Sequence, residues 1–339
     1  SSCTAALHLA LIAHSIGPVD EVIVPAFTFA ATANVVELIG AKTVFCDINL
    51  DTFTMNPSSF EKQITKKTKA VIPVHLFGLA ADMDPIISIA NEHGLIIIED
   101  AACAYGTTYR GKPAGLFGTC GAFSFHPRKS LTTGEGGLLV TNNVNIYKLV
   151  TSLCNHGSDS VPVGLPHAMS DIIRPGFNYR LTDIQAALGI SQLEASQTIL
   201  STRRAIAVDY DRILSHIPWL KTPRVPEGID HAYQAYVCLF MPESITPSNI
   251  GAISRQRNTF MAFLAARGIA TRPGTHAVHC LSYYRNKYNL SPHDCINTWI
   301  AAECSVTLPL YPGITSEDIE YIHATIVDFG RESGLHMDA

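Results

Sequence analysis

Lys129 stands in the run Phe123 to Gly137 (FSFHPRKSLTTGEGG), behind an apolar stretch, among small hydroxyl residues and ahead of a glycine-rich turn. A lysine so placed suits a Schiff-base nucleophile whose neighbours must approach a cofactor closely. Read alone, the same lysine is an ordinary surface cation. The run Leu95 to Ala102 (LIIIEDAA) ends a buried strand in two acids. There Asp100 can keep a pyridine nitrogen protonated, that of pyridoxal 5′-phosphate (PLP), so that the ring serves as an electron sink. A helix cap and a metal ligand compete with that reading, but no histidine set with ligand spacing accompanies Asp100. The opening Ser2-Cys3-Thr4-Ala5-Ala6-Leu7 leads into a helix. Free amides at such an end form a phosphate site, or Thr4 is simply a cap. The weight lies in the succession of phosphate cradle, strand-end aspartate and loop lysine.

The elements that must position these residues are legible in the apolar pattern. Val22 to Val24, Thr43 to Cys46, Ala70 to Val74, Leu95 to Ile98, Ala122 to Phe125 and Leu138 to Val140 read as short strands separated by helix-length connections. Strands this apolar predict an α/β fold with a mainly parallel sheet sandwiched by helices. Ligands of open sheets gather beyond the carboxyl ends of strands, where Asp47, His75, Asp100 and the Ser124 to Lys129 loop stand; each of these is otherwise an ordinary loop polar. Thr182-Asp183-Ile184-Gln185 has capping-box spacing, and a long helix is expected from there to about Ile217. Beyond Pro218-Trp219, a strand-like stretch (Tyr233 to Met241), a helix (Arg255 to Arg267) and a final helix after Thr315 predict a smaller α+β domain. The expected division is residues 1–217 for the large domain and 218–339 for the small one.

Composition narrows the function classes. A hydrophobic fraction of 47% and a charged fraction of 16% over 339 residues describe a globular protein. The net charge of -5, with Lys and Arg scattered, leaves no basic stripe for nucleic acid. No apolar run approaches the ~18 to 20 residues that span a bilayer. Nine cysteines, an odd number without CxxC pairing, predict reduced thiols in a cytoplasmic protein and neither a disulfide frame nor a metal site. No secretory signal is present, and an opening without Met predicts that a natural N-terminal segment precedes Ser1.

Several ordered blocks resemble the sugar aminotransferases of the DegT/DnrJ/StrS family, PLP enzymes of type I aminotransferase fold. The blocks are Pro25 to Asn34 (PAFTFAATAN), Pro73 to Gly78 (PVHLFG), Glu99 to Ala102, Phe123 to Gly137, Gly176 to Leu181 (GFNYRL) and Leu308 to Pro312 (LPLYP). The resemblance covers nearly the whole chain. It implies that Lys129 holds PLP covalently and moves the proton, and that Asp100 pairs with the pyridine nitrogen. It further implies that Phe29 stacks on the ring, that Cys3, Thr4 and Ser124 bind the phosphate, and that Asn178 reaches the phosphate of a neighbouring subunit in a homodimer with shared sites. The chain departs from the family at Cys3, where glycine is usual, at Leu79, and at Cys103, where glutamine usually approaches the cofactor oxygens. A thiol is a weaker donor than an amide, which puts that contact in question.

The activity so implied is transfer of an amino group from L-glutamate, released as 2-oxoglutarate, to a keto group of a nucleotide-linked sugar. Lys129 must then be neutral when freed, which fits a desolvated pocket. The patch Arg272 to His279 (RPGTHAVH) with Tyr283 and Tyr284 lies where the family places sugar contacts; His276 and His279 are the candidates, against a plain packing role. Rival readings are a sugar 3-dehydratase, against which Lys129 itself speaks, a keto-cyclitol aminotransferase, and a regulatory member of the fold that has lost catalysis.

Overall fold

The computed structural model describes residues 1–159 and 169–335. Six strands, β1 (Glu21–Pro25), β2 (Lys42–Cys46), β3 (Thr68–Val71), β4 (Ile96–Asp100), β5 (Cys120–Ser124) and β6 (Gly137–Val140), form one sheet in the order β2-β1-β3-β4-β5-β6. All neighbours pair in parallel except β5 and β6, where Gly121 lies antiparallel opposite Val140. Every residue of β1 is buried, as a strand covered on both faces requires. This is the mainly parallel sheet that the apolar runs predict.

Helix α1 (Cys3–Ala13) buries Leu7, Leu9 and Leu11 and lies across β5 and β6. The approach is close enough that a Cβ on Gly137 would fall 2.1 Å from the carbonyl carbon of Ser2. Only glycine at the start of β6 lets the first turn of α1 sit beside Ser124, its partner across the ladder.

A second sheet is antiparallel: β7 (Leu220–Lys221), β8 (Tyr236–Phe240) and β9 (Ser305–Leu308), with Tyr236 opposite Leu308. Helices Ile250–Ala266 and Ser316–Glu332 contribute to its core, where Trp219, Phe240, Phe260 and Phe329 pack edge to face and tilted. Losing one such ring costs about 3–5 kcal/mol.

The single long helix expected after Thr182 is two helices, α2 (Asp183–Glu194) and α3 (Ser196–Leu214), divided at Ala195. The capping box of Thr182 and Gln185 does start α2. The division separates two surroundings. α2 buries none of its residues, whereas α3 packs Ile206, Ala207, Tyr210, Ile213 and Leu214 into the core that holds Trp219.

Candidate active site

The carboxyl ends of β4 and β5 and the first turn of α1 meet around a cavity of about 230 Å³. Asp100, Cys103, Ser124 and Lys129 line it from the sheet side. Cys3, Thr4 and Phe29 line it as well, so most of the positions singled out in the sequence converge on one space.

Asp100, the last residue of β4, is held by its own chain on several sides. Its Oδ2 accepts from the Thr32 hydroxyl at 2.7 Å, and its Oδ1 accepts from the Ala102 amide at 3.1 Å, with the Cys3 thiol at 3.9 Å. The Thr32 hydroxyl in turn lies 3.0 Å from that of Thr28, four positions earlier in the chain and before the helix that carries Thr32 begins. The carboxylate is therefore aimed before any ligand arrives.

Lys129 follows β5 in a turn, and its Nζ donates to the Cys103 sulfur at 3.0 Å. Burial pulls the Lys129 pKa down, but Cys103, Asp100 and Cys3 outweigh burial and hold it above the ordinary lysine value. Burial by itself favours the neutral amine, as expected of a desolvated pocket, while the Cys103 contact and the Asp100 carboxylate favour the cation. The Cys3 thiol is pushed well up by burial and then by Asp100, so it stays protonated.

The cap of α1 is Ser2 and not Thr4. The Ser2 hydroxyl accepts from the Ala5 amide at 3.0 Å. The Cys3 and Thr4 amides have no acceptor among the described residues, and with the Ser124 hydroxyl they form the donor set of an anion cradle. Phe29, 61% exposed, presents an apolar ring to the cavity, a surface suited to covering a planar ligand. An acid for a ring nitrogen, amides for a phosphate, an amine for an aldehyde and an aromatic face are the chemical needs of PLP, so the residues fit the group.

Glu99, next to Asp100, faces the other way. It accepts from His75 Nε2 at 2.8 Å and from the amides of Gly115, Phe117 and Gly118 at 2.7, 2.6 and 2.6 Å. His75 Nδ1 accepts from the Ala81 amide at 3.1 Å, which places the ring proton on Nε2. Burial pushes the Glu99 pKa up, yet His75 and these amides overcome it and hold the carboxyl below its usual value.

Three sequence candidates lie elsewhere. Asn178 does not line the cavity; its backbone pairs with Asn155. His276 pairs across a short ladder with Thr28, and its ring is exposed 6.2 Å from Phe29, beside the cavity mouth. His279 is fully buried, with its ring 6.4 Å from that of Phe45, so a sugar contact from it is corrected to a packing role. Tyr284 is likewise buried and donates to Asn34, while Tyr283 is exposed and donates to Glu37.

Sequence reading missed Thr32, Gln234 and Arg128 as cavity or carboxylate partners, and it saw Arg272 only as part of a patch. Thr28 and Thr32, four apart in the block PAFTFAATAN, carried a signal that was available. Gln234, which donates to the Arg128 carbonyl at 2.8 Å, carried none.

The family model described as the DegT/DnrJ/EryC1/StrS aminotransferase family matches residues 1–327. The GDP-perosamine synthase of Caulobacter vibrioides is 37% identical over 342 aligned positions, covering 95% of this chain and 82% of that protein. Among solved structures, Spr1654 of Streptococcus pneumoniae in its PLP-form superposes with a TM-score of 0.89 at 30% identity, covering 98% of this chain and 86% of that one. DesV of S. venezuelae, solved in complex with a ketimine intermediate, does so at 0.85 and 31%, covering 99% and 84%.

Proposed function

Since the chain belongs to the DegT/DnrJ/EryC1/StrS aminotransferase family, we propose that it transfers an amino group from L-glutamate to a keto group of a nucleotide-linked sugar, with PLP held at Lys129. It is a PLP-dependent transaminase of sugars with the type I aminotransferase fold. The observation that carries the residue assignments is the convergence of Lys129, Asp100 and the Cys3 and Thr4 amides on one cavity.

When bound, PLP supplies an electron sink for the charge left as a proton leaves the carbon attached to nitrogen. Asp100, already oriented by Thr32 and Ala102, pairs with the ring nitrogen and keeps it protonated. Cys3, Thr4 and Ser124 bind the phosphate, and Phe29 covers the ring. Cys103, which lines the same cavity and accepts from Lys129, would stand on the side of the cofactor that faces the lysine. Lys129 Nζ holds the cofactor and, once freed, carries the proton in both halves of the reaction. Asp100, once paired with the ring nitrogen, would favour the charged Lys129 amine less strongly, which would move Lys129 toward the neutral base the reaction needs.

A homodimer with shared sites is part of this reading. α2 buries nothing, yet Ile184, Leu188, Ile190 and Leu193 on it are exposed, and Met169, Ile172 and Ile173 just before it are exposed too. An apolar stretch of this extent supports a partner surface, and Asn178 sits within it, where it would reach a neighbour's phosphate. A division into residues 1–217 and 218–339 is supported by the separate sheets, although α3 packs on the second core. A cytoplasmic setting is supported by nine unpaired cysteines. No helix among the described residues is long and apolar enough to cross a membrane.

Borohydride reduction of the PLP-supplemented protein followed by peptide mapping should label Lys129 and nothing else; a label elsewhere removes the assignment. A panel of nucleotide-linked keto sugars offered with glutamate, read by 2-oxoglutarate release, then identifies the acceptor.

A further inference from the structure

Beside the Lys129 cavity lies a second one of about 360 Å³, and the two share Arg128, Gln234 and Arg272 in their walls. Arg203 lines the outer cavity alone. No aspartate or glutamate lines that space, and no carboxylate among the described residues stands within 4.0 Å of any of the three guanidinium groups. Arg203 is 7% exposed; its Nη1 donates to the carbonyls of Tyr233, Gln234 and Leu310, while its Nε is buried without a partner. A buried guanidinium with only neutral acceptors is costly unless an anion compensates it. Arg128 and Arg272 stand close enough that, after burial, the charge of Arg128 depresses the pKa of Arg272. Arg128 and Arg272 are more exposed than Arg203, yet the three cations line one concave space and make an anion site, and planar guanidinium groups favour carboxylates through paired hydrogen bonds.

We propose that this outer cavity seats the amino donor as a dicarboxylate. The inference rests on the transaminase reading above. Arg128 and Arg272 take the carboxylate next to the amine, because only a group bound by the shared wall leaves the amine facing Lys129. Arg203 serves the second carboxylate, because it belongs to the outer cavity and its charge has no other counter-ion. The site thereby selects a diacid such as glutamate over a monoacid such as alanine.

Calorimetric titration of the holoenzyme with glutarate, a five-carbon diacid without an amine, tests this, with butyrate, GDP and UDP as separate arms. Glutarate is expected to bind at least tenfold more tightly than butyrate. Arg272→Gln and Arg128→Gln should each weaken glutarate at least tenfold while leaving the nucleotides within twofold, and Arg272→Lys should recover part of the loss. Arg128 is exposed, so its variant reports on the site even if the Arg272 variant folds poorly. The proposal is overturned by equal affinity for glutarate and butyrate, by unchanged glutarate binding in both glutamine variants, or by variants that lose nucleotide and keep glutarate. The borohydride label at Lys129 is read separately: a label without a glutarate site sinks the donor site alone, and a glutarate site without the label sinks the cofactor assignment alone.

Discussion

Glu99 and Asp100 are adjacent acids at the end of β4, yet alternation along a strand sends them to opposite sides, into regions with opposite purposes. On Glu99's side, His75 and three amides use up the carboxylate, and the 115–118 loop is bound to the sheet. On Asp100's side, Thr32 and Ala102 aim the carboxylate, and the open cavity remains in front of it. Two buried carboxylates thus differ in what is left unbound. The saturated one holds structure, and the one with a free approach is the one proposed to meet a ligand.

Substitutions should separate the two regions cleanly. Lys129→Ala is the largest break on the Asp100 side: turnover should fall by about 10⁴-fold or more, with the borohydride label gone and the unfolding midpoint nearly unchanged. Glu99→Gln should do the reverse. It places an amide where four donors converge, so denaturant titration should find a loss of about 3–5 kcal/mol, while kcat per folded molecule stays within a few-fold. Substantial loss of kcat with intact stability would erase the distinction.

The Glu99 side also predicts a pH dependence. Its folded pKa lies below the unfolded value of 4.5, so its contribution is present above that value and is lost as pH falls through the folded pKa. Stability measured from pH 7 down to pH 3 should decline more steeply in the native protein than in Glu99→Gln. Asp100→Asn is a smaller change on the other side: about 10²-fold in turnover, with little change in stability, read by steady-state kinetics and thermal unfolding. Smallest is Thr32→Val, which removes one hydrogen bond to Asp100. It should cost about 1 kcal/mol and lower turnover by less than tenfold.

The sheet and the three main site features were legible in the sequence because each is local. A β-branched run, an acid at its end, a lysine in the loop after a strand and a hydroxyl before a helix all announce themselves within a few residues. Cys103 entered through family resemblance, and its sulfur proves to stand 3.0 Å from Lys129. What escaped was the set of partners that arrive from afar. Thr32 reaches Asp100 across 68 positions, and Gln234 reaches the Arg128 carbonyl across 106. The break at Ala195 escaped as well, since apolar residues run through both α2 and α3 and nothing local tells an apolar face bound for the core from one left outside it.

The chain's own text thus carried the family, the parallel sheet, and the lysine and acid that are proposed to serve the cofactor, all encoded in short-range order. Folding in three dimensions settled the rest: that Glu99 is locked away while Asp100 faces a cavity, that His279 is packed inside, and that three arginines share a space without an acid. These outcomes depend on which distant surfaces come within hydrogen-bond reach, a property of packing that spacing along a chain does not encode.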